Sequence, residues 1–164
     1  MLNVKKEIKS SKINRSKLLF DLRKDLSSKI ETKEALNNLF KVYFLLKKEK
    51  NINDEYFKNC FQLFEIIIPP KIKSIKNNSF FGCKSLTQIS IPSSVTSILS
   101  NAFRNCINLQ QIFIPKSVTS IEQNAFDGCE SLKTITIPTS VKLIGPGVFY
   151  GCSSLEKISL PSSI

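Results

Sequence analysis

The side chains with the greatest capacity for chemistry in this chain of 164 residues are five cysteines that recur at one spacing of 23 residues. They are Cys60, Cys83, Cys106, Cys129 and Cys152. A metal site needs ligands that converge, and the chain has no Cys-x-x-Cys pair. Disulfides between neighbouring cysteines would leave one over, whereas unpaired cysteine is among the most buried residue types. The spacing therefore predicts a row of buried, reduced thiols and no metal site.

Residues suited to acid–base or nucleophilic catalysis are absent or dispersed. The chain has no histidine, which excludes histidine-based triads, bases and metal ligands. The carboxylates of the C-terminal two thirds fall at different phases of the 23-residue period and form no pair. Gly145-Pro146-Gly147 is predicted to be a turn insertion, and it does not match a phosphate-binding loop. We therefore expect a protein that is not an enzyme and that uses no cofactor.

Proline, phenylalanine, leucine and isoleucine repeat with the same 23-residue period as the cysteines. The anchors are Pro69, Pro92, Pro115, Pro138 and Pro161, then Phe80, Phe103, Phe126 and Phe149, then Leu86, Leu109, Leu132 and Leu155, then Ile89, Ile112, Ile135 and Ile158. A fixed period of this length is typical of a solenoid. One repeat has too few large apolar residues to order its own backbone, so neighbouring repeats must stack.

Each repeat divides into three predicted segments. Residues 109–115 alternate apolar and variable positions and end in Pro115, which indicates a short strand closed by a residue without an N–H donor. Residues 117–121 have spaced β-branched residues and predict a second short strand. Asparagines at one shared phase are predicted to cap a one-turn helix in successive coils, namely Asn78, Asn101 and Asn124. That helix should end in the left-handed conformation at a column that contains only Gly and Asn. The column is Asn59, Gly82, Asn105, Gly128 and Gly151.

The repeat resembles the BspA-like class of leucine-rich repeats. The matching motifs are Leu132-x-x-Ile135-x-Ile137-Pro138, Ser140-Val141-x-x-Ile144 and Val148-Phe149-x-x-Cys152. The resemblance covers roughly residues 56–164, about two thirds of the chain. It implies a right-handed, curved solenoid that serves in adhesion or protein recognition, without catalysis. The expected fold is an α/β solenoid of 23-residue repeats with short parallel strands, preceded by an α-helical N-terminal segment.

The N-terminal third differs from the repeats in charge and periodicity. Residues 1–52 contain 14 Lys and Arg against six Asp and Glu, a net charge of +8, whereas residues 53–164 have a net charge of +3. The apolar residues of the N-terminal third recur at helical spacing, and a capping box at residues 28–31 predicts two helices. We expect residues 1–52 to cap a solenoid at residues 53–164. Its first coil, residues 53–69, is degenerate, and its last coil is incomplete.

Variable residues between the strand anchors should point outward and are the candidate contacts for a partner protein of unknown identity. The candidates are Phe113, Gln88, Gln110, Gln111, Lys133, Thr134, Thr136, Glu156 and Lys157. Phe113 differs from a column that otherwise has mainly small polar residues. An exposed aromatic side chain there would be a binding hot spot. The alternative is that Phe113 covers a neighbouring side chain.

A rival function is binding of nucleic acid or another anionic surface through the basic N-terminal helices. Lys5, Lys9 and Lys12 would share one helical face, and lysine clusters attract phosphates. Acidic residues are interspersed there, however, aromatic residues do not interleave with the basic ones, and the segment has no known nucleic-acid-binding motif. We therefore rank nucleic-acid binding below protein recognition.

The sequence also bears on location. The N-terminus lacks the apolar core of a secretion signal, and no apolar run is long enough for a transmembrane helix. We therefore expect a cytoplasmic protein. The family resemblance implies a cell-surface location by a non-classical route as the alternative. The sequence does not indicate an oligomeric state.

Overall fold

The computed structural model describes residues 50–162, which wind into a solenoid of about five turns. The predicted N-terminal helices and their capping role lie in residues 1–49, outside the described part of the chain. The described strands are β1 (Asn51–Ile52), β2 (Ser74–Ile75), β3 (Gln88–Ser90), β4 (Ser97–Ile98), β5 (Gln111–Phe113), β6 (Ser120–Ile121), β7 (Thr134–Thr136), β8 (Leu143–Ile144) and β9 (Lys157–Ser159).

The strands form two parallel sheets on different sides of the coil. The first sheet has the order β1-β2-β4-β6-β8, and the second has the order β3-β5-β7-β9. Paired residues are 23 positions apart, as in Ile75 with Ile98 and Ile89 with Ile112. A bridge between Ile67 and Ser90 joins the first coil to the second sheet. The register confirms the predicted parallel stacking of 23-residue coils, and β1 keeps it although β1 precedes the predicted boundary at residue 53.

The core is made of columns of like residues, because the same position of every coil points inward. In each three-residue strand from β3 to β7 the central isoleucine is buried and its two neighbours are exposed. The phenylalanines at 57, 80, 103, 126 and 149 form a continuous stack. Successive ring centroids in this stack are 5.1, 5.2, 5.4 and 6.0 Å apart. The phenylalanine, cysteine and leucine anchors and the central isoleucines of β3, β5 and β7 therefore form a single core along the solenoid, whereas Ile158 of β9 is exposed.

The third side of the coil is not the one-turn helix that the sequence predicts. No α-helix occurs within residues 50–162. Here the N–H groups alternate in direction, and those of Phe80 and Gly82 donate to carbonyls of the next coil at 2.8 Å. Those of Phe81 and Cys83 donate within their own coil, to residues three positions back. In an α-helix these N–H groups would all point along the helix axis and could not alternate between two coils, so this side of the coil consists of overlapping turns. The described fold is a parallel-strand β-solenoid rather than an α/β solenoid.

The positive-φ residues of these turns fall in two columns. The Gly/Asn column has φ between 59° and 70°, which confirms the predicted left-handed conformation. The predicted helix caps Asn78, Asn101 and Asn124 also have positive φ, between 54° and 56°. An N-cap residue has extended backbone angles, so the capping prediction was wrong. Asparagine occurs here because it tolerates the left-handed conformation better than most residues.

Gly145-Pro146-Gly147 was predicted to be an insertion and is not one. It has the same phase as Glu122-Gln123-Asn124 in the preceding coil. The N–H of Gly145 donates to the carbonyl of Ile121 at 2.8 Å, as the N–H of Glu122 does to Ile98 one coil earlier at 2.9 Å. The fifth coil therefore has the same length as the others.

Candidate functional site

The cysteine row is a structural ladder of thiols. In four coils the thiol donates to a phenylalanine carbonyl oxygen of the preceding coil. The pairs are Cys83 to Phe57 at 3.1 Å, Cys106 to Phe80 at 3.2 Å, Cys129 to Phe103 at 3.3 Å and Cys152 to Phe126 at 3.2 Å. None of the five cysteines forms a disulfide. The structure thus confirms a row of reduced thiols, of which only Cys152 is not fully buried.

Burial also makes these thiols poor nucleophiles. Desolvation, aided by neighbouring thiols, raises the pKa of Cys106 well above its usual value. Desolvation likewise raises the pKa of the half-buried Cys152 to about 11. Because the thiolate is the reactive form, neither residue ionises appreciably near neutral pH. The ladder is therefore suited to packing rather than to chemistry.

Residues 50–162 contain neither a metal-binding cluster nor a membrane-spanning helix. This part of the chain has no cluster of three or more His, Cys, Asp or Glu side chains that could hold a metal ion. It also has no helix with the length and apolar character needed to cross a membrane.

The candidate partner-contacting residues lie together on the outward face of the second sheet, which we call the strand face. All nine are exposed. The first residues of β3, β5, β7 and β9 form one row across the sheet, namely Gln88, Gln111, Thr134 and Lys157. Phe113 and Thr136 belong to a second row, and the remaining three residues immediately precede their strands. The buried central isoleucines of β3, β5 and β7 fix this orientation, because alternate strand residues point to opposite faces, and β9 continues the same register.

Phe113 is the most prominent side chain of the strand face, with 72% of its surface exposed. A groove of about 390 Å³ lies on one side of it, towards Ile67. A hollow of about 300 Å³ lies on its other side, towards Thr136. The ring is therefore a ridge between two depressions. The alternative, in which Phe113 covers a neighbouring side chain, does not account for this exposure.

Three exposed residues of this groove, Glu65, Ile67 and Ser90, are not among the candidates from the sequence. Ile67 is 67% exposed and forms the wall opposite Phe113, and Glu65 also lines the groove. Both belong to the degenerate first coil, and they have the phases of Ser90 and Gln88 in the next coil. Their positions in the 23-residue period could have identified them as candidates, because these positions belong to the two outward rows of the strand face.

The charges of the strand face are unevenly distributed. Glu65 is the only charged residue among those that line the groove. Exposed Lys133 lies in the fourth coil, and exposed Glu156 and Lys157 lie in the fifth. Between Glu65 and these charged residues, the two outward rows of the strand face contain mainly amide and hydroxyl side chains. The face therefore has a carboxylate, Glu65, at one end, and two lysines with one carboxylate, Glu156, towards the other.

The chain is similar to one family of repeats and to several solved structures. The model of the BspA type leucine rich repeat region matches residues 50–164 in six copies. The structure of the T. pallidum leucine-rich repeat protein is similar over 66% of this chain, with 34% identity and a TM-score of 0.65. A leucine-rich repeat protein from Bacteroides ovatus matches 72% of the chain at 28% identity and a TM-score of 0.54. One from Eubacterium ventriosum matches 66% at 29% identity and a TM-score of 0.58.

These solved structures are longer than the region they share with this chain. The matched region is 50% of the T. pallidum chain, 37% of the B. ovatus chain and 28% of the E. ventriosum chain. No curated protein matched the chain.

Proposed function

We propose, from the premise that the chain belongs to the BspA-type leucine-rich repeat family, that it recognises a partner protein through the strand face. Leucine-rich repeat proteins generally serve as scaffolds for protein interaction or adhesion. The observation that supports the strand face in particular is the 72% exposure of Phe113 in the middle of it. Aromatic residues are enriched in interface cores. A large apolar side chain held in water by a rigid sheet is stabilised when a partner covers it.

The size of the strand face sets a requirement on the interface. Five coils about 4.8 Å apart span about 19 Å, and about five residues along each strand add about 17 Å. The resulting area of about 300 Å² is smaller than the roughly 800 Å² that each partner contributes to a standard interface. The partner must therefore also contact surfaces beside the strand face, with Phe113 near the centre of the contact.

A comparative pull-down tests this proposal. The intact chain and its Phe113→Ser variant are each used to capture proteins from native lysate and from surface-labelled cells, at low and moderate salt, with identification by mass spectrometry. We expect specific proteins that the wild type retains at moderate salt and that Phe113→Ser loses. Loss of one hot-spot side chain costs about 2 kcal/mol, which is roughly thirtyfold in affinity.

Leu143→Ser is the matched control, because Leu143 is also an exposed apolar residue but belongs to β8 in the first sheet. It should retain the same proteins as the wild type. Equal capture by Phe113→Ser and wild type would refute the strand-face proposal. Capture of nucleic acid that is lost at moderate salt would instead support the rival function, because phosphate contacts are strongly salt-dependent.

A further inference from the structure

The groove between Ile67 and Phe113 has the dimensions of a socket for one side chain. Ile67 pairs with Ser90, and Ser90 pairs with Phe113, so the two walls lie on strands that flank the strand of the serine. Two strand spacings separate the walls by about 9.6 Å between backbones. The small Ser90 leaves the space between the walls open. The space therefore has apolar sides and a hydroxyl at its base, and it accommodates one aliphatic side chain.

The polar lining of the groove suits a peptide backbone. Gln88 and Gln111 are paired in register at its edge, and both are exposed. A side-chain amide both donates and accepts hydrogen bonds, as does each peptide unit. Two such amides about 4.8 Å apart can therefore bind the N–H and C=O groups on either side of an inserted side chain. This spacing favours an extended segment over a compact apolar ligand.

The charges on either side of the groove define a direction for a segment bound in it. Glu65 lies one coil before Ser90, Lys133 lies two coils after it, and Lys157 lies three coils after it. At about 4.8 Å per coil these separations are about 5, 10 and 14 Å, and an extended peptide advances about 3.3 Å per residue. A basic residue one or two positions from the inserted side chain would reach Glu65. An acidic residue three or four positions away on the other side would reach the lysines.

From this complementarity we propose that the groove binds an extended segment of the partner protein. The segment inserts an aliphatic side chain between Ile67 and Phe113 and runs across the strands. It places a basic residue towards Glu65 and an acidic residue towards Lys133 and Lys157. The hollow between Phe113 and Thr136 receives the residues between the aliphatic side chain and the acidic one. This inference rests on the proposed function and specifies the chemistry of the partner.

Selection from a library of displayed random dodecapeptides tests the inference. The intact chain is the target, and clones that also bind Phe113→Ser are removed. We expect enriched peptides with an aliphatic residue between a basic residue one or two positions away and an acidic residue three or four positions away on the other side. Enrichment of peptides without the aliphatic residue or without this order of charges would overturn the proposal, as would the absence of any Phe113-dependent peptide.

Affinity measurements on a labelled synthetic peptide with the selected sequence then test the charges. Glu65→Lys should weaken binding of this peptide about threefold to tenfold, because exposed ion pairs are individually weak. The same variant should strengthen binding of a peptide whose basic residue is replaced by Glu. Glu130→Lys is the control of equal charge, since Glu130 is exposed but does not line the groove. Equal effects of the two variants would overturn the directional part of the proposal.

Different results would refute the proposed function and the proposed binding of an extended segment. A protein whose capture depends on Phe113, together with a library that yields no peptide, would leave the proposed function standing and overturn the extended segment. Sedimentation that shows self-association of the wild type and a monomeric Phe113→Ser variant would assign the groove to a second copy of this chain and likewise overturn it. Circular dichroism melts of both Phe113→Ser and Glu65→Lys check that the coil remains folded, as exposure of both side chains leads us to expect.

Discussion

The residue type that fits a given position of this solenoid depends on the residue at the same position of the neighbouring coil. In the Gly/Asn column the side-chain oxygen of Asn59 lies over Gly82, and that of Asn105 lies over Gly128. A Cβ added at either glycine would be 2.4 Å from that oxygen, far inside van der Waals contact. Both residue types accept positive φ, but in this column a Cβ at Gly82 or Gly128 would have to displace the asparagine side chain of the preceding coil. The order Asn, Gly, Asn, Gly thus reflects contact between coils as well as backbone conformation.

The thiol ladder follows the same rule, because each cysteine links its coil to the one before. The Cys106 thiol donates to the Phe80 carbonyl, which also accepts the N–H of Cys83 at 3.1 Å. Alanine at this position would fit the packing without making the bond between coils. Serine would be smaller and more polar. Cysteine is therefore suited to the site as a small apolar residue with a weak donor.

Ionisation of Cys106 should make stability depend on pH in the alkaline range. Burial raises the pKa of Cys106 in the folded state above the 9.0 of an ordinary thiol, so the folded state holds the proton more tightly than the unfolded chain. The stabilisation is complete below pH 9 and is lost as pH rises above it. We expect the free energy of unfolding of the wild type to fall towards that of Cys106→Ala between pH 9 and pH 10.5.

Urea unfolding of both proteins under reducing conditions measures this difference. The other ionisable groups are common to both proteins, so their contributions cancel in the comparison. A difference between wild type and variant that stays constant from pH 7 to pH 10.5 would contradict the assignment of a raised pKa.

At the scale of the element, the strands were predictable and the third side of the coil was not. The strand residues alternate in a pattern that is local to each coil, so the inward isoleucines and the exposed rows could be read directly from the sequence. The turns depend on hydrogen bonds between coils, such as the N–H of Phe103 to the carbonyl of Ala125 at 2.8 Å. Asparagine at an N-cap and asparagine at positive φ look the same in sequence. For the candidate site, the position of each residue in the 23-residue period predicts the exposed face. The depth of the groove beside Phe113 is seen only in the structure.

The turn that follows β8 shows how closely neighbouring elements approach. A Cβ on Gly145 would lie 2.3 Å from the backbone nitrogen of Gln123 and 2.7 Å from the carbonyl carbon of Glu122. These are backbone atoms held in place by the preceding coil, so they do not yield as a flexible side chain would. Glycine is therefore required here by close approach rather than by positive φ.

We predict that Gly145→Ala destabilises the protein by about 1–3 kcal/mol, the usual cost of overpacking a filled space. The displaced backbone should weaken the pairing of β8 with β6. Thermal unfolding measures the loss, and Glu122→Ala is the control at the same phase one coil earlier. A melting temperature of Gly145→Ala equal to that of the control would show that the coil can separate locally at little cost.

At the scale of the whole molecule, stability depends on how many neighbours each coil has. Phe103 is completely buried between parallel rings at 5.2 and 5.4 Å, whereas Phe149 is half-buried and has one stacked ring at 6.0 Å. Cys152 and Leu155 are also only partly buried, although their counterparts in the central coils are fully enclosed. In a stack whose units contact only their neighbours, such a coil opens separately from the rest.

Hydrogen exchange followed by mass spectrometry should resolve this order of opening. We expect the amides of β8 and β9 to exchange before those of β4 and β5, because fewer apolar contacts oppose their opening. Phe149→Ala should accelerate exchange in β8 and β9 alone. Phe103→Ala should accelerate it on both sides of the third coil and cost about 3–5 kcal/mol, because it leaves a cavity within the stack. Uniform acceleration by both variants would show instead that the coils unfold as one unit. The coupling free energy between neighbouring coils would then exceed the free energy of unfolding of each coil.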